Sequence, residues 1–279
     1  METCHYFCSI MKVNLFVTCL LLLLYACNTS TENNNAAENV SGFYNEYIRY
    51  LNEQIKLNPD STGLRLKLVT ALDSTHSYKE ALLQMDSLLQ KDSANYGLWF
   101  TKGSIAEDAG DTLLAMNSYN TAIRIYPSAD AMINLANLYA EQKNEAALAI
   151  CSQVKQLRMG REYDAHCAFI TGVYYARTGN QKMALQSFDE CIAANYTYME
   201  AYIEKGLVYF DNKQYRDALQ VFNFAATVNA LDANPYYWQA RCYEMMNIKD
   251  SAILRFKQSL ILDKTSLETK EALKRLEEK

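Results

Sequence analysis

Small and apolar residues recur along most of the chain with a period close to 34 residues. One column consists of alanines spaced 34, 32, 37, 34 and 34 residues apart, each followed by an apolar residue: Ala81, Ala115, Ala147, Ala184, Ala218 and Ala252. Parallel columns hold a small residue upstream, as at Gly172, and an aromatic residue downstream, as at Phe188. Because independent columns share one period, the pattern predicts a chain of repeated helical hairpins.

These columns resemble the tetratricopeptide repeat, with Gly or Ala at position 8, Tyr at 11, Ala at 20, Phe at 24 and Ala at 27. The match is best in QKMALQSFDECIAANY and EKGLVYFDNKQYRDALQVFNFAATVN. Small residues at positions 8 and 20 let two helices approach closely, and the aromatic residues fill the space beside them. The resemblance implies an all-α fold, a right-handed superhelix of about six repeats, which we place at 62–95, 96–128, 129–164, 165–198, 199–232 and 233–266.

Helices are expected to cap both ends of this repeat domain, which we place at residues 43–279. Phe43, Tyr47, Leu51 and Ile55 mark one face of a helix that would cover the first repeat. At the other end, Thr265 with Glu268 three residues later is typical of a capping box, and predicts a closing helix over 266–278.

Composition supports long helices and argues against several other classes. The 279 residues include only 9 Gly and 3 Pro, whereas barrels, sandwiches and doubly wound nucleotide-binding folds need such residues at their many turns. Half of the residues are apolar, which is enough for an extensive core. The net charge of −5 argues against a nonspecific nucleic-acid binder, which would present a cationic face.

The N-terminus carries an apolar run at 13–26, preceded by Lys12. The run is shorter than the about 20 residues of a membrane-spanning helix, so it predicts a cleaved signal peptide over 1–26, with a retained helical anchor as the alternative. Met11, directly before Lys12, offers a second start of translation for this signal. Leu24-Tyr25-Ala26-Cys27 resembles the lipobox of bacterial lipoproteins, which implies lipid attachment at Cys27, and Asn28 implies sorting to the outer membrane, facing the periplasm. An ordinary signal peptide with an incidental cysteine is the alternative. The polar stretch to Gly42 is expected to be a flexible tether.

The resemblance also implies a concave groove lined by the first helix of each repeat. The groove positions hold an apolar, partly aromatic row and one arginine: Phe100, Ile133, Phe169, Val173, Ile203, Leu207, Phe210, Tyr237 and Arg241. Position 5 holds no Lys, so we do not expect the carboxylate clamp of chaperone adaptors. We expect an apolar or amphipathic partner segment with basic flanks. The alternative is that these side chains merely support the wall.

No motif in the chain points to catalysis or to a cofactor. His76 and His166 lie two repeats apart without neighbours at metal-ligand spacing, so no metal site is expected. Four cysteines in the repeats occupy positions typical of small buried residues: Cys151, Cys167, Cys191 and Cys242. Cys167 and Cys191 belong to one predicted hairpin, and whether they pair is left open.

Taken together, these features predict a non-catalytic scaffold or adaptor that is anchored by lipid to the bacterial cell envelope and binds a protein segment in its groove. The alternative function is a lipoprotein that binds a solute or glycan through the aromatic groove. A stoichiometric protein partner would favour the scaffold, and a monomer stabilised by a small ligand would favour the binder.

Overall fold

The computed structural model describes residues 29–278, with side chains from Phe43 onward. This part of the chain contains no strand and consists of fourteen helices. Their bounds are α1 Thr29–Leu57, α2 Thr62–Ser74, α3 Tyr78–Lys91, α4 Tyr96–Asp108, α5 Thr112–Ile125, α6 Ala129–Glu141, α7 Ala146–Gln156, α8 Arg161–Arg177, α9 Gln181–Ala194, α10 Met199–Asp211, α11 Tyr215–Val228, α12 Ala233–Met245, α13 Lys249–Leu262 and α14 Leu267–Glu277. The all-α fold class is therefore confirmed.

The chain divides into two compact units, the first ending at Ser93 and the second beginning at Ala94. The first unit contains α1–α3 and the second contains α4–α14. The predicted signal peptide over 1–26 and the predicted lipid attachment at Cys27 lie outside the described residues. Among the helices that are described, none combines the length and apolar character that crossing a membrane requires.

The first unit differs from expectation at its start. Helix α1 already begins at Thr29, so most of the stretch for which we expected a flexible tether is helical. Extending an existing helix costs much less free energy than nucleating a new one, which explains why α1 continues into polar residues. The predicted capping face is not buried along its whole length. Phe43 at its start is 65% exposed, whereas Leu51, two turns further on, is 1% exposed.

In the second unit, glycines allow the two helices of a hairpin to cross closely. A Cβ atom built on Gly103, Gly172 or Gly206 would lie 2.6, 2.5 or 2.2 Å from the ring that faces it. These rings are the fully buried aromatic side chains of the second helices: Tyr119, Phe188 and Phe222. The repeating small and aromatic columns thus pack against each other as predicted.

Each hairpin turn of the second unit contains one residue in the left-handed region. Each is the second residue after the end of the first helix: Gly110, Lys143, Gly179, Lys213 and Asn247, with φ between 59° and 82°. The backbone N–H of the next residue then donates to a carbonyl of the last helical turn, as from Gln214 to Tyr209 at 2.9 Å. This is the bond of a Schellman motif, and it explains why short turns suffice with few glycines.

Two local boundaries differ from the predicted ones. The N-cap of α14 is Ser266, whose Oγ accepts from the N–H of Thr269 at 3.2 Å. Thr265, the predicted cap, instead donates its hydroxyl to Asp263 at 2.6 Å, so it is held in the preceding turn. Helix α8 begins at Arg161, four residues before the start that we assigned to the fourth repeat.

Candidate functional site

Four first helices of the second unit, α6, α8, α10 and α12, contact one another in sequence. Helix α6 packs on α8, α8 contacts α10, and α10 contacts α12. Among the described residues, no two second helices pack on each other to that extent. In a curved stack the inner elements approach one another and the outer ones spread apart, so the first helices form the inner wall.

Eight of the nine predicted groove residues are half-buried on this wall: Phe100, Ile133, Phe169, Ile203, Leu207, Phe210, Tyr237 and Arg241. Their positions leave part of each side chain accessible to a ligand. The ninth, Val173, is only 1% exposed and belongs to the core cluster that includes Phe188 and Ala184. Val173 is therefore a core residue and cannot contact a partner.

The aromatic residues at position 5 also support the wall. Their ring centroids lie 5.8 Å apart for Phe100 and Tyr119, and 5.9 Å apart for Phe169 and Phe188. Such separations are typical of favourable aromatic pairs. Each ring also stacks on a second aromatic side chain, Phe100 on Tyr96 at 5.9 Å and Phe169 on Tyr198 at 5.1 Å. Both rings therefore stabilise the wall, and only their exposed part is available for contact.

The wall in α10 and α12 ends in an aromatic cluster around Arg241. The guanidinium of Arg241 lies 5.9 Å from the ring of Phe210 and 6.0 Å from that of Tyr237, and it donates to the Tyr237 hydroxyl at 3.2 Å. Trp238, which sequence reasoning missed, packs on Phe210 at 5.5 Å and on Phe222 at 6.0 Å. It lies outside the groove positions of the repeat, so the periodic columns offered no signal for it.

Arg177 joins three consecutive first helices. It donates from Nε and Nη2 to Glu141 of α6 at 2.8 and 3.0 Å, and from Nη1 and Nη2 to Glu204 of α10 at 2.9 and 3.1 Å. The hydrogen bonds from Glu204 and Glu141 raise the pKa of Arg177 above its ordinary value. Its positive charge is thus offset by two carboxylates.

The charges of the second unit are divided between the two layers. The five first helices carry 5 more Asp and Glu residues than Lys and Arg residues. The five second helices carry 3 more Lys and Arg residues than Asp and Glu residues. The layer of first helices therefore carries a net negative charge.

One acidic residue of the wall is partly buried. Glu107 accepts from the Tyr119 hydroxyl at 2.9 Å, and that hydroxyl accepts in turn from Asn134 Nδ2 at 3.2 Å. Burial raises the pKa of Glu107 above its ordinary value. The network links α4, α5 and α6, so this carboxylate has a structural role.

A small cavity of about 280 Å³ lies between α8, α10 and the start of α12. Phe169 and Ile203 form its apolar side. Glu200, Glu204 and Asp232 add carboxylates to the same lining. A cavity with this lining can hold the aliphatic part of a Lys or Arg side chain while its charged end meets the carboxylates.

The histidine and cysteine side chains of the described repeats make packing and hydrogen-bond contacts. In the described part of the chain, no cluster of three or more His, Cys, Asp or Glu residues could hold a metal ion. His166 Nδ1 is hydrogen-bonded to the Tyr198 hydroxyl at 2.9 Å, and the two rings pack edge to face. All four cysteines of the repeats are free and buried, so Cys167 and Cys191 do not pair in this structure.

Comparison with known proteins agrees with this geometry. A family model described as Tetratricopeptide repeat matches residues 96–128, the hairpin of α4 and α5. One repeat of this chain thus matches the tetratricopeptide repeat model, and the fold is that of solved tetratricopeptide repeat proteins. A search of curated proteins found no matching relative.

Solved structures with the same fold include a tetratricopeptide repeat protein from Parabacteroides merdae, which is 20% identical with a TM-score of 0.70. This match covers 85% of our chain and 93% of that one. PilW, described as a widely conserved type IV pilus biogenesis factor, is 17% identical with a TM-score of 0.62, over 75% of our chain and 97% of its own. Yeast Tom70 is 18% identical with a TM-score of 0.56, over 84% of our chain and 58% of its own.

Proposed function

We propose that this protein is a non-catalytic scaffold that binds a basic, amphipathic segment of a partner protein on the inner wall of its second unit. The observation that carries this proposal is a row of half-buried apolar side chains on a wall with an excess of carboxylates. Apolar contacts would supply affinity, and the carboxylates would select a basic partner and orient it. Stacked helical repeats present extended concave surfaces of this kind.

The charge of the wall argues for a basic rather than an acidic ligand. Arg177 is engaged by two carboxylates, and Arg241 is enclosed by aromatic rings and also lies 3.4 Å from Glu244. A partner carboxylate would therefore meet cations that are already paired and a surface that repels it. The cavity beside Phe169 and Ile203 would receive one basic side chain of the partner.

We further propose that a lipid on Cys27 holds the scaffold at the cell envelope, on the periplasmic face of the outer membrane. The lipobox-like sequence before Cys27 supports this anchor. The similar fold of PilW, a pilus biogenesis factor, agrees with a role in assembling an envelope structure. Replacing Cys27 with Ser should release the protein from the membrane fraction of bacterial cells and abolish metabolic labelling with a fatty acid. Retention and unchanged labelling would contradict the anchor.

Two synthetic peptides test the binding surface directly. One is an amphipathic peptide of leucine and lysine, and the other is its leucine and glutamate counterpart. We expect the full chain to bind the basic peptide, with affinity that falls as salt increases, and to ignore the acidic one. Fluorescence anisotropy of labelled peptides measures both.

Matched variants locate the site. Phe169→Glu with Ile203→Glu adds two charges to the inner wall, whereas Leu113→Glu with Leu254→Glu adds the same charges to exposed positions on second helices. The first pair should abolish peptide binding and the second should leave it intact, with unchanged helical circular dichroism in both. Equal effects of the two pairs would refute binding on the inner wall.

A further inference from the structure

The junction between the third and fourth repeats departs from the regular pattern of the second unit. Helix α7 has 11 residues, whereas the second helices α5, α9, α11 and α13 have 14. Helix α8 has 17 residues, whereas the first helices α4, α6, α10 and α12 have 13. In addition, α7 holds Cys151 in the column that holds Phe188 and Phe222 elsewhere, and a thiol occupies less volume than an aromatic ring. This junction is therefore packed differently from the others.

A cavity of about 580 Å³ lies between α7 and α8 at this junction. Leu148, Ser152 and Lys155 line it from one face of α7, since they follow one another at steps of four and three residues. Thr171 and Tyr175, four residues apart, line it from α8. The volume lies within the range of about 300–1,000 Å³ that small-molecule sites occupy.

The deep part and the rim of this cavity differ in chemistry. The deep part consists of buried or half-buried side chains: Leu148, Cys151, Thr171 and Tyr175. The rim consists of exposed polar side chains: Ser152, Lys155, Gln156 and Arg158. The Thr171 hydroxyl already donates to the Cys167 carbonyl at 2.7 Å, so the deep part leaves few hydrogen-bond donors for a ligand. The cavity thus combines a mainly apolar interior with a cationic rim.

Both cations of the rim are without a counter-charge. Among the described residues, neither Lys155 nor Arg158 has an ion pair or a side-chain hydrogen bond, and none that lines the cavity is Asp or Glu. Helix α7 itself contains no acidic residue. The C-terminal end of a helix carries a partial negative charge of about half an elementary charge, which two full positive charges outweigh. The rim therefore attracts anions, unlike the inner wall.

The backbone holds Arg158 at the rim in an uncommon conformation. Its φ is 52°, in the left-handed region, and no residue in the other described loops between repeats has a positive φ. The backbone N–H of Arg158 donates to the Lys155 carbonyl at 3.2 Å, so the two cations stay one turn apart. Such conformations of residues with side chains are found often at binding sites.

We propose that this cavity binds a small phosphomonoester, with the phosphate at Lys155 and Arg158 and the organic group in the cavity beneath them. A phosphomonoester carries a charge of about −1.5 to −2 at neutral pH and three strong acceptor oxygens, so it matches two cations better than a single carboxylate does. Arg offers a planar fork of donors to a phosphate, and Lys offers a point charge. Leu148 and the ring of Tyr175 would contact the organic group.

This site is separate from the inner wall. None of the nine predicted groove residues lines the cavity. The ligand classes also differ in charge, because the wall is proposed to bind a basic segment and the cavity an anion. The two sites can therefore be tested independently in one chain.

The test titrates the full chain with phenyl phosphate at constant ionic strength, followed by saturation-transfer NMR of the phenyl protons. Benzoate has the same ring and a single negative charge, so it controls for charge. Inorganic phosphate, added as a competitor, controls for the organic group. We expect phenyl phosphate to bind at least about tenfold more tightly than benzoate, and inorganic phosphate to displace it only at higher concentration.

Matched variants locate the ligand. Lys155→Gln with Arg158→Gln removes both rim cations, and Lys182→Gln with Arg216→Gln removes the same charge from exposed positions on α9 and α11. The first pair should weaken phenyl phosphate binding by at least about tenfold, and the second by less than about twofold. All four side chains are exposed, so helical circular dichroism should stay unchanged. The inner-wall pair Phe169→Glu with Ile203→Glu should leave phenyl phosphate binding intact.

Several results would overturn the proposal. No saturation transfer from the protein to phenyl phosphate would show that the cavity does not take this ligand. Equal affinities for phenyl phosphate and benzoate would remove the role of the second charge, and displacement by inorganic phosphate at equal concentration would remove that of the organic group. Equal effects of the two pairs of Gln variants would place binding outside this cavity.

Discussion

Gly206→Ala tests whether close helix crossing holds the hairpins of the second unit together. The new methyl carbon would lie 2.2 Å from Cε1 and 2.4 Å from Cζ of Phe222, well inside van der Waals contact. The ring is fully buried, and Trp238 stacks on it at 6.0 Å between centroids. Because the ring is enclosed, it cannot rotate away freely, and α10 must move away from α11.

The size of the effect follows from two opposing terms. Forcing an extra methyl into a packed core costs about 1–3 kcal/mol. Replacing a helical Gly by Ala returns about 1 kcal/mol through helix propensity. The last hairpin has Ala240 and Phe256 in the equivalent columns, both fully buried, so a hairpin built around a methyl is possible. We therefore expect a net loss of up to about 2 kcal/mol in the free energy of unfolding.

Gly97→Ala is the matched control, because it lies in a helix of the same unit and its nearest neighbour would be Asn95 Oδ1 at 3.4 Å, an ordinary contact. Only the propensity term acts there, so Gly97→Ala should leave the free energy of unfolding unchanged or raise it by up to about 1 kcal/mol. Urea unfolding followed by circular dichroism and by Trp238 fluorescence, in a Trp99→Phe background, measures both variants. Agreement of the two probes tests for a single cooperative transition.

A double-mutant cycle with Phe222→Leu isolates the contact itself. The smaller side chain should remove at least half of the penalty of Gly206→Ala, because the methyl then has space. Two results would refute the reasoning: equal stability of the Gly206→Ala and Gly97→Ala variants, or a penalty that is unchanged in the Phe222→Leu background.

Three further substitutions give directional predictions. Lys213→Gly removes the backbone strain of a side-chain-bearing residue at φ of 61°, and should raise the free energy of urea unfolding by about 1 kcal/mol. A lower free energy of unfolding would mean that contacts of the Lys side chain stabilise the protein by more than this strain costs. Glu107→Gln should raise the unfolding free energy at neutral pH, because burial raises the pKa of Glu107 and the charged form is disfavoured in the folded state. This advantage should vanish below about pH 4.3, where the unfolded-state carboxyl is also protonated, and a constant advantage would contradict the assignment. Arg177→Met should lower the unfolding free energy by about 1–2 kcal/mol, since it leaves two carboxylates unpaired at a partly exposed site; thermal unfolding at low and high salt measures the loss.

The repeating columns of the sequence predict the contacts within each hairpin. The pairing of Gly172 with Phe188, and of Gly206 with Phe222, joins residues only 16 positions apart, and the same solution recurs along the chain. A repeated local contact leaves a repeated signal in the sequence, so the fold class and the inner row of half-buried side chains could be predicted.

Features that depend on one particular neighbour left no such signal. Val173 looks like a groove residue from its column, but the core cluster of the adjoining hairpins buries it. Trp238 reaches the preceding hairpin, and Arg177 pairs with Glu141 and Glu204 from both flanking ones. The cavity between α7 and α8 likewise arises between hairpins rather than within one.

The sequence by itself therefore determined that helical hairpins stack and which side chains close each one, because those contacts are local and repeated. The tertiary structure decided where a cavity forms between hairpins, where the charges cancel and how far each groove residue is exposed. Those outcomes depend on how neighbouring hairpins pack, and each junction joins a different pair of surfaces.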